Sequence, residues 1–436
     1  MAGKTLIKGG TVLTLGAKTP NFTEADVLID YGVVAEVGPG LRARDAELVD
    51  ASDAIVMPGF VDTHRHVWKS LFRNLGDTAV PGSHYQPDDI YAATLIGLLG
   101  AVEAGITTVV DWADINSGED YVNAALQAHV DAGLRTVFVH TARGSANAPV
   151  DAEPSLSRLV SAHPDSAQAQ TTIAFGPDNP GRSDLDRVAG QWALASGAGL
   201  RIHAHVGLEA SEAGIVSGLA QKDLLGGDVT LVHAAHLSDA DLDAISSSGA
   251  SVVVTPSTEM TGGLGMPPLQ KLLDRNIRPG LGVDDEGVAP GDMFAQMRAA
   301  NSIQHAAYFD LKLAGKAGLP NLLTTRDVIR YATIDGASAI GLRDVTGSLE
   351  PGKQADIILL RTDRPNIFPI NDPIGAVVWG MDTSNVDWVF AGGNALMRNG
   401  VLTGDVEKAR DLAMTAQSRV AAASGVLAGT DSGATR

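Results

Sequence analysis

The feature of the sequence that most constrains the fold is a strand-then-helix rhythm that repeats between residues 58 and 345. Short, nearly continuous apolar runs are typical of parallel strands buried on both faces, and eight such units in succession indicate a closed barrel. The eight predicted strands lie at 54–66, 106–111, 136–140, 171–175, 200–205, 229–233, 251–255 and 279–284. The helical patterns between them lie at 91–104, 121–132, 185–195, 240–248 and 268–275.

The two ends of the chain carry a different pattern. Residues 1–57 alternate short apolar runs with turn residues, which favours antiparallel strands. These strands have too little apolar surface to stand alone, and residues 346–404, including the apolar run 376–379, are expected to pair with them. The predicted fold class is therefore α/β. A (β/α)8 TIM-like barrel over 58–345 carries a small β-sandwich built from both chain ends, and a terminal helix with a flexible tail follows over 405–436.

The composition excludes several classes of function. The 436 residues contain no cysteine, so a metal would be held by His, Asp or Glu. A formal net charge of −19 without a basic run disfavours nucleic acid as a partner. No apolar stretch reaches the about 18 residues of a membrane span, and no leader-like segment precedes the first strand. No membrane partner and a cytoplasmic location are therefore expected.

Histidines fall at the ends of the predicted strands. The spacing of His64 and His66 places both imidazoles on one face of the first strand. Since the carboxyl ends of barrel strands share one rim, the residues at these ends are expected to meet. The rim residues are His64, His66, His203, His205, His233 and Asp284. Three neutral imidazoles and a carboxylate with one open position suit one divalent metal ion, zinc most simply, with iron, manganese or cobalt as alternatives.

The open position predicts the chemistry. A divalent metal lowers the pKa of bound water towards about 7, which generates hydroxide at neutral pH. We expect Asp284 to bind the metal and to accept the proton of the attacking water. His233 is expected to polarise the electrophilic carbon or to stabilise the developing anion.

Motifs spread along the chain support this interpretation. They are Pro-Gly-Phe-Val-Asp-Thr-His-Arg-His at 58–66, Val-His-Ala-Ala-His-Leu at 232–237, Gly-Leu-Gly-Val-Asp at 280–284 and Gly-Ser-Leu-Glu-Pro-Gly-Lys-Gln-Ala-Asp at 347–356. Together they resemble the amidohydrolase superfamily, most of all its cytosine deaminase-like and chlorohydrolase-like branch. The resemblance implies displacement of ammonia, chloride or an amine from an sp2 carbon by water and a metal. It also implies that His64, His66, one strand-five histidine and Asp284 are ligands, and that the chain forms a homo-oligomer.

The strand-five ligand and the missing acid decide the expected reaction. In this branch a glutamate that shuttles a proton typically follows the ligand by three residues, whereas this chain has Val206 after His203 and Leu208 after His205. We favour His205, because Glu209 lies close behind it. The expected function is hydrolysis of a C–N bond in a small organic substrate that needs no ring protonation. One alternative is a deaminase of an aminated heterocycle with Glu209 as the catalytic shuttle, and another is an inactive barrel that acts as a binding or scaffold protein.

Two further expectations concern metal number and substrate contacts. Binuclear members commonly bridge two ions with a lysine, and no lysine lies between residues 143 and 221, so one ion is expected. The loop 76–89, with its glycine and prolines, is a candidate lid. The residues expected to contact substrate, with packing as the alternative for each, are Trp68, Trp112, His140, Phe175, His203, His236 and Glu259.

Overall fold

The computed structural model of the protein describes residues 3–76, 80–115, 117–141, 154–164, 166 and 169–426. Its strands are β1 Lys4–Val12, β2 Phe22–Asp30, β3 Val33–Gly38, β4 Ala46–Asp50, β5 Ala54–Pro58, β6 Phe60–Arg65, β7 Ile106–Ala113, β8 Arg135–Thr141, β9 Thr171–Gly176, β10 Arg201–Val206, β11 Val229–His233, β12 Ser251–Val254, β13 Gly280–Leu281, β14 Ile357–Arg361, β15 Val386–Ala391, β16 Asn394–Arg398 and β17 Val401–Leu402. Its helices are α1 Pro87–Glu103, α2 Glu119–Ala132, α3 Pro154–Ala162, α4 Leu185–Gly197, α5 Ile215–Gln221, α6 Asp239–Ser248, α7 Pro256–Thr261, α8 Leu269–Leu273, α9 Met293–Leu313, α10 Thr325–Tyr331, α11 Ile334–Ala339, α12 Pro373–Gly375 and α13 Val406–Ser424.

The central part of the chain forms the predicted barrel. An eight-stranded sheet runs in chain order from β6 to β13, and every neighbouring pair is parallel. Backbone hydrogen bonds join the segment after the last barrel strand to the first strand. Asp284 N donates to His64 O at 2.8 Å, and His66 N donates to Asp284 O at 2.9 Å. The strand ends therefore meet at one rim, and the predicted fold class is confirmed.

The two chain ends form one separate nine-stranded sheet in the order β17-β16-β15-β14-β5-β1-β2-β3, with β4 beside β1. The link between the ends is the antiparallel pair of β5 and β14, in register from Ala54 with Arg361 to Pro58 with Ile357. Apolar side chains of both ends, such as Ile7, Val27 and Phe390, pack into a core of their own. Neither end could bury these side chains alone, as the sequence indicated.

The apolar run of residues 54–66 is not the single strand that was predicted. It divides at Gly59 into β5 of the end sheet and β6 of the barrel. Gly59 N donates to Asp356 O at 3.0 Å, and a Cβ at this position would lie 2.2 Å from the side chain of Thr107. Only glycine fits this close approach, so the chain changes sheets here without a loop.

The predicted strand at 376–379 is wrong, because the run is helical. The Asp372 carboxylate accepts from Ile374 N and Gly375 N, which starts a turn of helix α12, and Ala376–Gly380 continues it as a π-helical turn. Val377 and Val378 are fully buried in the main core, so apolar content alone did not distinguish helix from strand. Within the described ranges, no helix is long and apolar enough to cross a membrane.

Candidate active site

The barrel rim brings five of the predicted side chains together. His64 lies in β6 and His66 just after it, His205 lies in β10, and His233 is the last residue of β11. Asp284 follows β13 by three residues and forms a β-bridge with Arg65. His64, His66 and His205 form one group suited to a metal ion, and His64, His233 and Asp284 form a second that overlaps it.

The distances between these side chains fit one shared ion. His205 Nε2 lies 3.1 Å from His64 Nε2. Asp284 Oδ1 lies 3.6 Å from His64 Nε2 and 3.5 Å from His66 Nε2. Two ligand atoms bound to zinc at about 2.1 Å lie at most about 4.2 Å apart, so each of these three separations is short enough for a shared ion.

The electrostatics of the cluster also suit a metal. Burial lowers the pKa of His64 to about 4 and holds the pKa of His205 well below its usual range. Burial alone would raise the pKa of Asp284, but the hydrogen bond with His64 and the nearby histidines hold it well below its usual range. At neutral pH His64 and His205 are therefore neutral and Asp284 is ionised, which are the protonation states that bind a divalent metal.

The second strand-five histidine does not join the cluster. His203 is fully buried, and among the described residues neither of its ring nitrogens has a hydrogen-bond partner. Burial lowers its pKa to about 3, so it is a neutral side chain inside the barrel. It is not among the described residues that line the cavity at the rim, and the substrate contact expected for it stays a prediction.

His233 is held from behind by a buried carboxylate. Its Nδ1 lies 3.2 Å from Glu259 Oε1, and Glu259 is fully buried. Thr255 N donates to the same oxygen at 2.8 Å. Burial disfavours the charged imidazole, but the bond to Glu259 and the charge of Asp284 outweigh it and raise the pKa of His233. Glu259 was expected to contact substrate, and the structure instead places it behind His233.

Backbone strain coincides with the two catalytic candidates. His233 has φ of 77° and Asp284 has φ of 68°, and both lie in the left-handed region that non-glycine residues rarely adopt. Such strain costs about 1–3 kcal/mol per residue and persists only where the surrounding structure fixes it. Here the fixed conformation turns both side chains towards the same space above the barrel.

Arg65, between the two first-strand histidines, points away from the metal cluster and pairs with carboxylates. It is buried and lies 3.3 Å from Asp62 Oδ2 and 2.8 Å from Glu286 Oε1. Asp62 also accepts from Val283 N at 3.0 Å, which ties the first barrel strand to the residue before Asp284. Burial raises the pKa of Asp62 to about 6 despite the opposing charge of Arg65.

A cavity of about 320 Å³ opens over the cluster. Its described lining residues are His66, Trp68, Lys69, Phe72, Gly76, Val80, Tyr85, His205, Leu208, His233, Thr258, Gly262, Leu264, Asp284, Asp285, Gly287 and Val288. Trp68 lies in the wall, as expected. Trp112 instead packs against the ring of His205, with centroids 4.2 Å apart. The cavity suits a small molecule with apolar surface and few polar groups.

Three other predicted contacts lie away from the described cavity lining. His140 and Phe175 are buried in β8 and β9. His236 Nε2 lies 2.8 Å from Leu264 O and so supports the loop that carries the Leu264 side chain. Of the candidate lid, Val80 and Tyr85 line the cavity, whereas residues 77–79 lie outside the described residues.

Glu209 is not brought to the site. Its side chain is 59% exposed and forms an ion pair with Arg182. Gly207, with φ of 66°, turns the chain directly after β10, and Leu208 rather than Glu209 then faces the cavity. Glu209 therefore lies outside the described cavity lining in this structure, and its role as a proton shuttle stays a prediction.

The sequence reasoning missed Lys69, Phe72, Tyr85 and Asp114. Three line the cavity, and Asp114 lies 3.4 Å from His66 Nδ1. Lys69 Nζ is paired with Asp285 Oδ2 at 2.7 Å. Two of these residues could have been found from their positions along the chain. Asp114 directly follows a barrel strand, and Lys69 follows His66 by three residues in a short 3-10 helix.

The barrel and its rim define a class of protein: a (β/α)8 barrel with a His/Asp site at which a metal ion can activate water. The chain belongs to the amidohydrolase family, whose model matches residues 55–396. This membership confirms the resemblance and the expectation of a metal-dependent hydrolase acting on carbon–nitrogen bonds.

Two relatives named as deaminases are similar to this chain along nearly their whole length. A 5'-deoxyadenosine deaminase from Methanothermobacter thermautotrophicus is 28% identical over 91% of this chain and 94% of its own. A 5-methylthioadenosine/S-adenosylhomocysteine deaminase from Haloarcula marismortui is 31% identical over 90% of this chain and 93% of its own.

Two solved structures share the fold. The zinc-bound adenosine deaminase from Xanthomonas campestris has a TM-score of 0.83 at 21% identity and covers 96% of this chain and 99% of its own. The zinc complex of atrazine chlorohydrolase from Arthrobacter aurescens has a TM-score of 0.82 at 22% identity. The match covers 95% of this chain and 100% of its own.

Proposed function

We propose that this protein uses one divalent metal ion, with zinc as the first candidate, to hydrolyse a C–N bond at an sp2 ring carbon of a small nitrogen heterocycle. The observation that carries the proposal is the convergence of His64, His66, His205 and Asp284 beneath a largely apolar cavity. These four residues would hold the ion. When bound, it supplies a Lewis acid that makes water acidic enough to attack at neutral pH.

Residues of the protein provide proton transfer, charge stabilisation and substrate binding. Asp284, whose carboxylate stays ionised, accepts the proton of the attacking water and returns it to the leaving nitrogen when ammonia or an amine departs. His233, oriented by Glu259, presents Nε2 to the same space and stabilises the negative charge that develops as water adds to the reacting carbon. Trp68 and Leu208 supply apolar walls on which a planar ring can rest. Closure by these walls excludes water from the rest of the substrate.

Ammonia is the first leaving group to test. The relatives named as deaminases of adenosine derivatives match at least nine-tenths of the chain, which supports an aminated purine or a similar ring as substrate. The cavity of about 320 Å³ lies within the range of about 300–1,000 Å³ for small-molecule sites.

One observation favours a second leaving group. Leu208 lines the cavity three residues after His205, where the sequence resemblance implied a proton-shuttling glutamate. A leucine cannot protonate a ring nitrogen. Displacement of a group that leaves without ring protonation, such as chloride or an electron-poor amine, is therefore the alternative within the same site.

The test is a product assay on zinc-loaded protein. Adenosine, 5'-deoxyadenosine, 5'-methylthioadenosine, cytosine, and amino- and chloro-substituted triazines would be incubated separately, and free ammonia, alkylamine and chloride measured. We expect release from at least one substrate, abolished by chelation and by Asp284→Asn. Release that is unchanged by both treatments would contradict the metal-dependent mechanism, and no release from any substrate would contradict the proposed substrate class. A cytoplasmic location and a homo-oligomeric assembly stay predictions.

A further inference from the structure

We propose that Asp114 is a positioning residue that orients the metal ligand His66 and, through the same carboxylate oxygen, fixes Trp68 in the cavity wall. The proposal rests on the metal site of the proposed function. Asp114 directly follows β7, one barrel strand away from the strand that carries His64 and His66.

One carboxylate oxygen of Asp114 contacts both His66 and Trp68. Asp114 Oδ1 lies 3.4 Å from His66 Nδ1, the ring nitrogen opposite the one that faces Asp284. Trp68 Nε1 donates a hydrogen bond to that same Oδ1. The 3.4 Å separation is an ion-pair distance rather than a close hydrogen bond, so the contact acts mainly through charge.

This arrangement has a chemical consequence for His66. A carboxylate beside Nδ1 favours the tautomer with its proton on Nδ1, which leaves the lone pair of Nε2 free for a metal. His66 lies with Nε2 3.5 Å from Asp284 Oδ1, so the favoured tautomer aims the free nitrogen into the ligand cluster.

The same oxygen links the ligand to the substrate cavity. The Trp68 indole lines the cavity and meets the ring of Tyr85 edge-on, with centroids 5.3 Å apart. Without Asp114 as acceptor, the indole would lose the one hydrogen bond that sets its orientation among the described residues. Asp114 thus couples two functions, metal binding through His66 and ring binding through Trp68.

The expected effect is moderate. Loss of an outer partner of a metal ligand typically weakens metal affinity about 10- to 100-fold. The Asp114 side chain is 36% exposed, so solvent screens part of its charge, and we expect the lower end of that range.

The experiment measures metal affinity, which needs no substrate. Zinc-binding constants would be determined by competition with a chromophoric chelator for wild type, Asp114→Asn, Trp68→Phe and the control Asp178→Asn. Asp178 follows a barrel strand on the same rim but contacts Arg187 and Gln191 instead of a histidine. We expect about a 10-fold weaker Kd for Asp114→Asn, and less than about a twofold change for Trp68→Phe and for the control. The visible spectrum of the cobalt-loaded protein should also change in Asp114→Asn, since the ring orientation of one ligand changes.

The outcomes separate this proposal from the proposed function. Wild-type affinity in Asp114→Asn with an unchanged cobalt spectrum overturns the positioning role alone. Equal weakening in Asp114→Asn and Asp178→Asn shows a general loss of stability and overturns it as well. Failure of the wild-type protein to bind zinc or cobalt overturns the metal site itself. If Asp114→Asn does not fold, Asp114→Glu serves as the second variant, with a Kd shift of similar size expected from the displaced carboxylate.

Discussion

Replacement of Glu259 by glutamine tests the role given to His233. Glu259 is fully buried, and its Oε1 lies 3.2 Å from His233 Nδ1 and accepts from Thr255 N at 2.8 Å. Glutamine keeps the volume of the side chain and an oxygen for Thr255, but it removes the negative charge beside the imidazole. The variant should therefore fold normally and lose a specific electrostatic contact.

The size of the effect follows from the buried, charge-assisted contact. A hydrogen bond to a charged group contributes about 1.5–3 kcal/mol. If His233 stabilises the transition state with the support of Glu259, this loss corresponds to a decrease of about 10- to 150-fold in kcat/KM. The decrease should lie mainly in kcat, because Glu259 lies behind His233 and does not line the cavity.

The assay is steady-state turnover of the heterocycle on which the zinc-loaded wild type is most active, with metal content measured on the same samples. Glu212→Gln is the matched control, since Glu212 is also buried at this rim but accepts from Leu208 N and contacts no histidine. Metal content should equal that of wild type in both variants. A kcat/KM of Glu259→Gln within about twofold of wild type would refute the reasoning, as would a loss of metal that alone accounts for the loss of activity.

The remaining predictions concern the rest of the site. His205→Ala should lose bound zinc in elemental analysis while His203→Ala keeps it, and the reverse result would exchange their roles. Burial lowers the pKa of His203 to about 3, below its unfolded value of about 6.5, so the unfolded chain gains a proton first as pH falls and stability decreases. In urea titrations, metal-free wild type should lose about 2 kcal/mol more than His203→Leu between about pH 7 and pH 5, and equal losses would contradict this. Leu208→Glu should increase ammonia release from aminated heterocycles at least about tenfold over Leu208→Gln, and no increase would show that Leu208 does not occupy the position of a proton shuttle.

The barrel could be predicted from the sequence because its strands are buried on both faces. Runs such as 106–111 and 229–233 consist mainly of apolar and β-branched residues without alternation, and that pattern distinguishes them from the alternating strands of the chain ends. The rim residues followed from topology, since a closed barrel places the ends of distant strands side by side. His64, His205 and Asp284 could therefore be grouped although they are far apart in sequence.

Other features depend on contacts that no local pattern contains. The break of the run 54–66 into two strands occurs at Gly59, where a Cβ would meet the side chain of Thr107, and the apolar run does not reveal this contact. The direction of a side chain just past the end of a strand depends on the backbone of the loop that follows. The left-handed Gly207 turns Glu209 outwards, and the short helix α7 turns Glu259 back towards His233. The orientations of Glu209 and Glu259 could therefore not be predicted from the sequence.

The most direct test of the account is the metal content per chain of protein purified without added metal, measured beside His64→Ala. His64 belongs to both groups that can hold an ion, so its removal should abolish binding. The account predicts about one equivalent of divalent metal in wild type and almost none in the variant. Two equivalents in wild type would reveal a further ligand set, and full occupancy in His64→Ala, or no metal in wild type after incubation with zinc, would contradict the proposed site.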